Sequence, residues 1–520
     1  MSDISGPVYD VIIIGAGPVG SAAAVIADRQ GLRTLLVDAS TEVYPLPRAI
    51  HFDADIMRIF QFAGLSDEIE PLARATSGGL HLGADGEPIR DFRVTAVDGD
   101  LGWKPHYMFY QPEVDALLRR RAAEAPHVSA LLGWRCESVT QDGDVATVEL
   151  RGQDGATLRE QGRYVIAADG ASSGIRKQLG IALTDYGFEE PWFIIDGAVQ
   201  DEDQGPDYSI MYCDPARPGT YVPGPRRHRR WEFMLLPGEN GQQYTTAEGA
   251  WSIISGVTPW LRRDEIDIER VAIYEFHALV AERWREGCVF LAGDAAHQTP
   301  PFYGQGMCHG IRDVRNLLWK LAAVLREGEP EGLLDTYQSE REPHVRAIID
   351  QSVANGRYIC VLDPELARVR DEEMRARMAE PQPQPQQVRT FRDTIPGLVA
   401  GVLEPDRSAA SGLLFPQPWV NTSDGARVRL DEVLGRDWTL IGSPAASAPA
   451  DPAGASVLIV GRDIEDRDGV LGEWFATFGC DTALLRPDRY VFGTSDKDGA
   501  DALLAAAAAT RRRDPAEIAG

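Results

Sequence analysis

Apolar residues first cluster in Val8–Ile14, a β-branched run with no polar residue after Asp10. Such a run predicts a strand buried on both faces of a parallel sheet. Pro18–Gln30 is rich in alanine and predicts a helix whose first turn accepts Pro18. Arg33–Val37 predicts a second buried strand, ending at Asp38, which completes one βαβ unit. Short strands and turns follow from Ser77 to Gly102, then a helix over Val114–Ala125 and strands at Val145–Leu150 and Tyr164–Ala168. Alternation and turn signals make Tyr186–Tyr274 β-rich, a second, sheet-based domain; the turns are Cys213-Asp-Pro-Ala-Arg-Pro-Gly219 and Pro223-Gly-Pro225. Val289–Ala292 predicts a strand and Ile311–Arg326 a helix with an apolar face.

The periodicity breaks at Pro381–Gln387, a Pro/Gln stretch that predicts a linker. Beyond it, Trp438–Ile441, Val457–Val460 and Thr482–Leu485 predict strands, an Ala-rich helix ends the pattern, and frayed chain is expected from Thr510. At 520 residues the chain exceeds what one core serves, so two or three domains are expected. No apolar run is long enough to span a bilayer, and the N-terminus lacks a basic region, so neither membrane nor signal peptide is expected. A net charge of −27 and a pI of about 4.8 oppose nucleic-acid binding. Arg226–Arg230 is a local basic cluster, either a solvated loop or an attractor for anions. Six scattered cysteines show no zinc or CxxC spacing, so no metal is expected, and the thiols fit a reducing cytoplasm.

Candidate chemistry enters with Gly15-Ala-Gly17-Pro-Val-Gly20, placed between the first strand and helix. Gly15 permits a tight turn, Gly17 close approach of a pyrophosphate, and Gly20 helix–sheet packing; the helix N-terminus then faces the phosphates. Asp38, at the end of the next strand, is suited to ribose hydroxyls. Asp169, in Ala168-Asp-Gly170, and Asp294, in Leu291-Ala-Gly-Asp294, also end buried strands. After Asp294 come glycines and a helix start able to hold negative charge at a flavin's N1–C2=O edge, which points to FAD.

These motifs resemble the flavin-dependent aromatic hydroxylases of the para-hydroxybenzoate hydroxylase type, and within them the 3-(3-hydroxyphenyl)propionate and phenol hydroxylases. The resemblance covers about residues 8–350 and rests on Gly15–Gly20, Pro47-Arg-Ala49, Gln111–Asp115, Asp169–Arg176 and Gly293–Met307, continued by Asp313, Asn316, Trp319 and Lys320. Cys213–Pro218 and Arg229–Glu239 add to it. It implies an α/β fold: a Rossmann-like FAD-binding domain in three parts (1–75, 106–185, 275–380), an inserted β-sheet substrate domain (76–105, 186–274), a linker (381–390) and a thioredoxin-like C-terminal extension (391–520). It also implies reduction of FAD by NADH or NADPH, reaction with O2, and hydroxylation of a phenolic substrate ortho or para to its hydroxyl through a C4a-hydroperoxyflavin. A homodimer is expected.

By the same resemblance Gly15, Gly17, Gly20 and Asp38 hold the ADP half. Arg48 and Gln111 contact phosphate or ribityl groups, and Asp169 and Asp294 complete the cradle. N–H groups from Gly304, Gly306 and Met307 face the pyrimidine edge, and the Pro301 carbonyl lies near the reacting ring. Asp53 is either a base for the phenol or an N-cap of the helix Ala54–Phe62. Tyr274 either hydrogen-bonds substrate or packs in a strand. Trp192, Tyr212 and Phe302 line the pocket or the core. His297 is expected to make a structural hydrogen bond, and His51, His106 and His277 lack metal-ligand spacing. Leu279 stands where relatives often have arginine, which leaves a charged substrate in question, and Cys480 has no partner for disulfide exchange. The alternatives are an oxygenase for a larger polycyclic substrate and a flavoprotein sensor that does not oxygenate.

Overall fold

A computed structural model of the chain describes residues 8–93, 98–380 and 396–512. The first apolar run forms the strand Tyr9–Ile14, with Val11, Ile12 and Ile13 excluded from solvent. It pairs in parallel with Thr34–Asp38 on one side and Thr157–Ala167 on the other. Val128–Leu132 and Val289–Leu291 extend this parallel core. Both faces of its central strand are covered, which is why apolar residues run continuously along it instead of alternating.

A second eight-stranded sheet is built on the long strands Leu183–Val199 and Ile266–Ala281. Here residues alternate. Trp192 and Met234 pack into the core shared with the parallel sheet, whereas Phe193, Trp231 and Phe233 pack into a separate cluster on the opposite face. The helix Ala247–Val257 covers that opposite face, capped by Thr246 Oγ1, which accepts from Gly249 N–H at 3.1 Å. This helix lies inside the stretch expected to be β-rich. Its signals, a Thr cap and Ala250 and Ile254 one turn apart, are shorter than the strand pattern around them.

The basic cluster is a correction. Arg229 and Arg230 are fully buried, and only Arg226 and Arg227 project from the turn. Arg229 donates to backbone carbonyls of Gln204, Arg226 and His228, and Arg230 pairs with Asp196 at 2.8 Å. Neither is a solvated charge or an anion attractor.

The C-terminal region forms a four-stranded sheet from Ser456–Ile459, Thr439–Gly442, Thr482–Leu485 and Val491–Ser495, the thioredoxin-like extension. Its last helix, Ala500–Arg511, continues past the expected fraying point, and Thr510 is buried. The expected linker lies outside the described residues, as does the tail from 513. Burial pushes the Cys480 thiol up to about 11, which leaves it unreactive near neutral pH.

The extension docks through an apolar cluster in which Trp319 meets Trp438, and through charge. Arg58 of the helix Ala54–Ala63 donates twice to Asp431 at 2.7 Å and once to the Phe415 carbonyl at 2.7 Å. Removing one partner of a buried pair leaves the other charge uncompensated. Asp431→Ala is therefore expected to destabilise the protein by about 3–5 kcal/mol, whereas an Arg58→Met/Asp431→Leu double variant costs much less. Chemical denaturation of both variants checks this.

Candidate flavin site

The glycine turn leaves no room for side chains where the chain crosses itself. Gly15 has φ +103°, and a Cβ there would meet the Ala168 carbonyl oxygen at 2.3 Å. A Cβ on Gly20 would meet the Gly15 carbonyl oxygen at 1.8 Å. In front of Gly17 nothing lies within 4 Å, so the backbone there is open to approach. The helix Pro18–Arg29 starts without a side-chain cap and without an acid in its first turn. Its first N–H groups and partial positive charge are free for an anion.

Asp38 stiffens this loop. Its Oδ2 accepts from Ala16 N–H at 2.6 Å and its Oδ1 from Ser40 N–H at 2.7 Å. A polar stripe on the helix Gln111–Glu124 runs alongside, with Gln111, Asp115 and Arg119 four residues apart on one face. Gln111 Oε1 accepts from the N–H groups of Arg48 and Ala49 at 2.8 and 2.7 Å, and its amide donates to Asp115. Gln111 thus holds the backbone that carries Arg48, whose side chain is exposed. Arg119 donates to the Ala16 carbonyl at 2.7 Å and lies 3.4 Å from Asp38. The sequence reading missed Arg119, although its spacing from Gln111 places it on the same face.

Asp169 and Asp294 converge from the neighbouring strand ends. Asp169 Oδ2 accepts from Ile175 N–H at 3.2 Å, while its Oδ1 is buried without a partner. Asp294 is solvent-accessible between the buried Gly293 and Ala295; desolvation by its surroundings raises its pKa against the opposing charges of His297 and Arg48. Gly304 has φ +62° in the turn before the helix Gly306–Ala322, and no atom lies where a Gly306 Cβ would stand. That helix also begins without a side-chain cap or an acid. The Pro301 carbonyl accepts from Gly304 N–H at 2.7 Å, closing the turn. His297 does make a hydrogen bond, Nε2 to Asp313 Oδ2 at 2.6 Å. His51 and His106 touch at 3.0 Å behind the turn, and burial, with His51 alongside, pushes His106 down to about 4. No group of three His, Cys, Asp or Glu side chains among the described residues is placed to hold a metal.

Asp53 is the N-cap of Ala54–Ala63, its Oδ1 accepting from Asp55 and Ile56 N–H. Its Oδ2 accepts from Arg312 at 2.6 Å and from Gln305 at 2.9 Å. Burial alone would raise its pKa, but Arg312 and these hydrogen bonds hold it below the usual range. A carboxylate so engaged is a poor proton acceptor.

On the inner face of the second sheet, Trp192, Met234 and Tyr274 stand in one row and Asp196, Arg230 and Arg270 in another. Arg230 donates to the Pro47 and Arg48 carbonyls at 2.8 Å, and Arg270 donates to the Pro47 carbonyl, to Asp196 and to the Tyr274 hydroxyl. The Pro47–Ala49 backbone is therefore clamped from both sides, its N–H groups by Gln111 and its carbonyls by two arginines. Phe302 meets the Trp192 ring at 5.5 Å. Tyr212 is a correction: it lies on the opposite face, in the cluster beneath Ala247–Val257, with its hydroxyl on the Val257 carbonyl at 3.1 Å. Strand alternation turns it away from Trp192.

An open glycine turn at an uncapped helix, an unpartnered buried Asp169 oxygen and an accessible Asp294 fit an elongated, phosphate-bearing cofactor. Residues 8–352 match the FAD binding domain family. The chain belongs to that family. Residues 412–510 match the HcaD C-terminal domain. The chain is 36% identical to a probable NADH-specific resorcinol 4-hydroxylase of Rhodococcus jostii (strain RHA1), over 98% of this chain and 97% of the relative. It is 33% identical to a 3-(3-hydroxy-phenyl)propionate/3-hydroxycinnamic acid hydroxylase of Burkholderia cenocepacia (strain HI2424), over 98% of both. The crystal structure of aklavinone-11 hydroxylase with FAD and aklavinone shares the fold, with a TM-score of 0.78 at 24% identity, covering 98% of this chain and 99% of that one. This flavoprotein is thus an FAD-dependent aromatic monooxygenase. The chemistry FAD supplies when bound is electron uptake from NAD(P)H and activation of O2.

Burial raises Asp115 to about 7 from 3.8. The folded state then keeps a proton that the unfolded state has lost, so this contribution to stability is full below about pH 4 and is lost as pH rises to about 7. Asp115→Asn is expected to flatten that part of the stability profile, measured as thermal midpoint against pH. Asp169→Ala is expected to weaken FAD binding about tenfold, read by the flavin fluorescence of the reconstituted protein.

Proposed function

We propose that this hydroxylase acts on a small phenol without a charged side chain, ortho or para to its hydroxyl. The observation that carries the reading is the inner sheet face, where aromatic rings gather and both arginines are already committed. Trp192, Phe276 and Phe302 form an aromatic wall, and Trp192 Nε1 is buried without a partner. Arg230 and Arg270 are held by Asp196 and by backbone carbonyls, and Glu232, half-buried in the row between, adds a carboxyl group and no cation. A phenolic acid would bring its carboxylate to that face without a new cation to meet it. Leu279 agrees with this reading, because it supplies no charge where relatives often have arginine. The relatives at 36% and 33% identity are named for single-ring substrates, whereas aklavinone-11 hydroxylase is 24% identical, which supports this over the polycyclic alternative.

In this reading Trp192 Nε1–H donates to a substrate oxygen. Tyr274 accepts from Arg270, which leaves its own proton to be donated to the phenol oxygen. Asp53 is a positioning residue: it holds Gln305 and Arg312 at the start of the Gly306–Ala322 helix. Gly15, Gly17, Gly20, Asp38 and Arg48 take the ADP half, and Gln111 acts through the Arg48 and Ala49 backbone. Asp169 and Asp294 take the ribityl chain, and the N–H groups of Gly304, Gly306 and Met307 the pyrimidine edge. The Pro301 carbonyl lies near the reacting ring, and Phe302 borders the substrate. The proposal extends to a cytoplasmic homodimer and to the boundaries given above, with the substrate sheet at 76–105 and 186–274.

Holoenzyme is assayed with phenol, resorcinol and 3-(3-hydroxyphenyl)propionate, scoring hydroxylated product against NAD(P)H consumed. Uncharged phenols are expected to have at least tenfold higher coupled kcat/KM; a preference for the acid overturns the reading. Trp192→Phe is expected to raise KM about tenfold with little change in kcat. Asp53→Asn is expected to lower stability without moving the pH profile of kcat/KM, whereas loss of the basic limb would make Asp53 the base.

A further inference from the structure

Where the helices Ala54–Ala63 and Gly306–Ala322 meet the 486–490 turn of the extension lies a cavity of about 20 Å³. That is room for one water-sized particle. Arg312, Arg315, Arg341, Asn316, Asp55 and Asp488 line it, and all are buried. Three guanidinium groups therefore face two carboxylates.

The neighbours do not restore the balance. Asp488 is already paired with Arg486 at 2.8 Å, and Asp55 with Arg312 at 2.7 Å. Arg341 uses its Nε on Asp313 at 3.0 Å, and both of its Nη atoms are buried without partners. Arg315 forms no ion pair among the described residues. One of its Nη atoms reaches the Pro487 carbonyl, its guanidinium lies on the Phe62 ring at 3.7 Å, and its Nη1 is unpartnered. The residues lining the cavity thus carry three unpartnered donor nitrogens and one unpartnered acceptor, Asn316 Oδ1. Burial and the neighbouring Arg489 push Arg315 down to about 9, against the opposing charges of Asp488 and Asp431, neither of which forms an ion pair with it.

A water molecule accepts two hydrogen bonds and carries two protons to place, so it cannot serve three donors, and it brings no charge. A monatomic anion accepts from all of them and compensates Arg315. We propose that this cavity binds one chloride ion, which ties the C-terminal extension to the helix that carries Arg312 and, through it, Asp53.

Crystals of the holoenzyme grown in sodium bromide test this by anomalous diffraction at the bromine edge. The expected result is a peak in the cavity beside Arg315 and Arg341. Density there without anomalous signal, or bromide only on the surface, overturns the proposal. In solution, replacing 0.1 M gluconate by chloride at constant ionic strength is expected to raise the thermal midpoint by about 1–2 °C. The rise should persist in Arg315→Lys and vanish in Arg315→Met. Equal midpoints in both salts, or a rise that survives in Arg315→Met, overturns the assignment. Should Arg315→Met fail to fold, the bromide map of the unaltered protein decides alone.

Discussion

The fold depends on burying the charges of one helix. Every residue of Gly306–Ala322 after its first glycine is buried, including Arg312, Asp313, Arg315, Asn316 and Lys320. Taking an ion out of water costs on the order of several kcal/mol, which a helix cannot recover from its own turns. Partners must come from elsewhere. Arg312 is met by Asp53 and Asp55, and Asp313 by His297, Arg341 and the Gly293 N–H. Lys320 and Asn316 share Glu340, which also takes Arg486 from the C-terminal extension. Burial alone would raise Glu340, but Arg486 and Lys320 pull it down to about 2. The polar demands of one helix thereby place the start of the Ala54–Ala63 helix, the Gly293–His297 segment and the extension in one arrangement.

The same helix presents its uncapped N-terminus toward the site. Its charges other than Arg315 are met by ion-pair partners along its length, whereas its first N–H groups have no side-chain cap. The N-terminus of Pro18–Arg29 is also uncapped, and the two helices pack together. Two uncapped helix N-termini therefore offer partial positive charge, one suited to a pyrophosphate and the other to a reducible, charge-accepting ring. Between them the Pro47–Ala49 backbone is clamped by Gln111 and by Arg230 and Arg270. This backbone thereby joins the second sheet to the Gln111–Glu124 helix. Buried arginines on the sheet face orient this backbone and the Tyr274 hydroxyl.

Local patterns carried much of this in the sequence alone. Continuous apolar runs marked the parallel strands, glycine spacing marked the turn that a Cβ would block, and Asp38, Asp169 and Asp294 marked strand ends. Each of these depends on neighbours close along the chain, where backbone sterics and side-chain periodicity act. The Ala247–Val257 helix was hidden because its signals are short and sit among strands. The side on which Tyr212 falls depended on strand register, and register is set by which face meets the core. The state of each charge was decided only in three dimensions. Asp53 is far from Arg312 along the chain, and Arg230 from Pro47, yet these contacts turn a possible base into a cap and ion-pair partner, and a basic cluster into a buried clamp. The sequence determined which groups could carry charge and where a cofactor could lie. The tertiary structure decided which of those charges remain free, because desolvation makes every buried charge depend on partners that only the folded chain brings within reach.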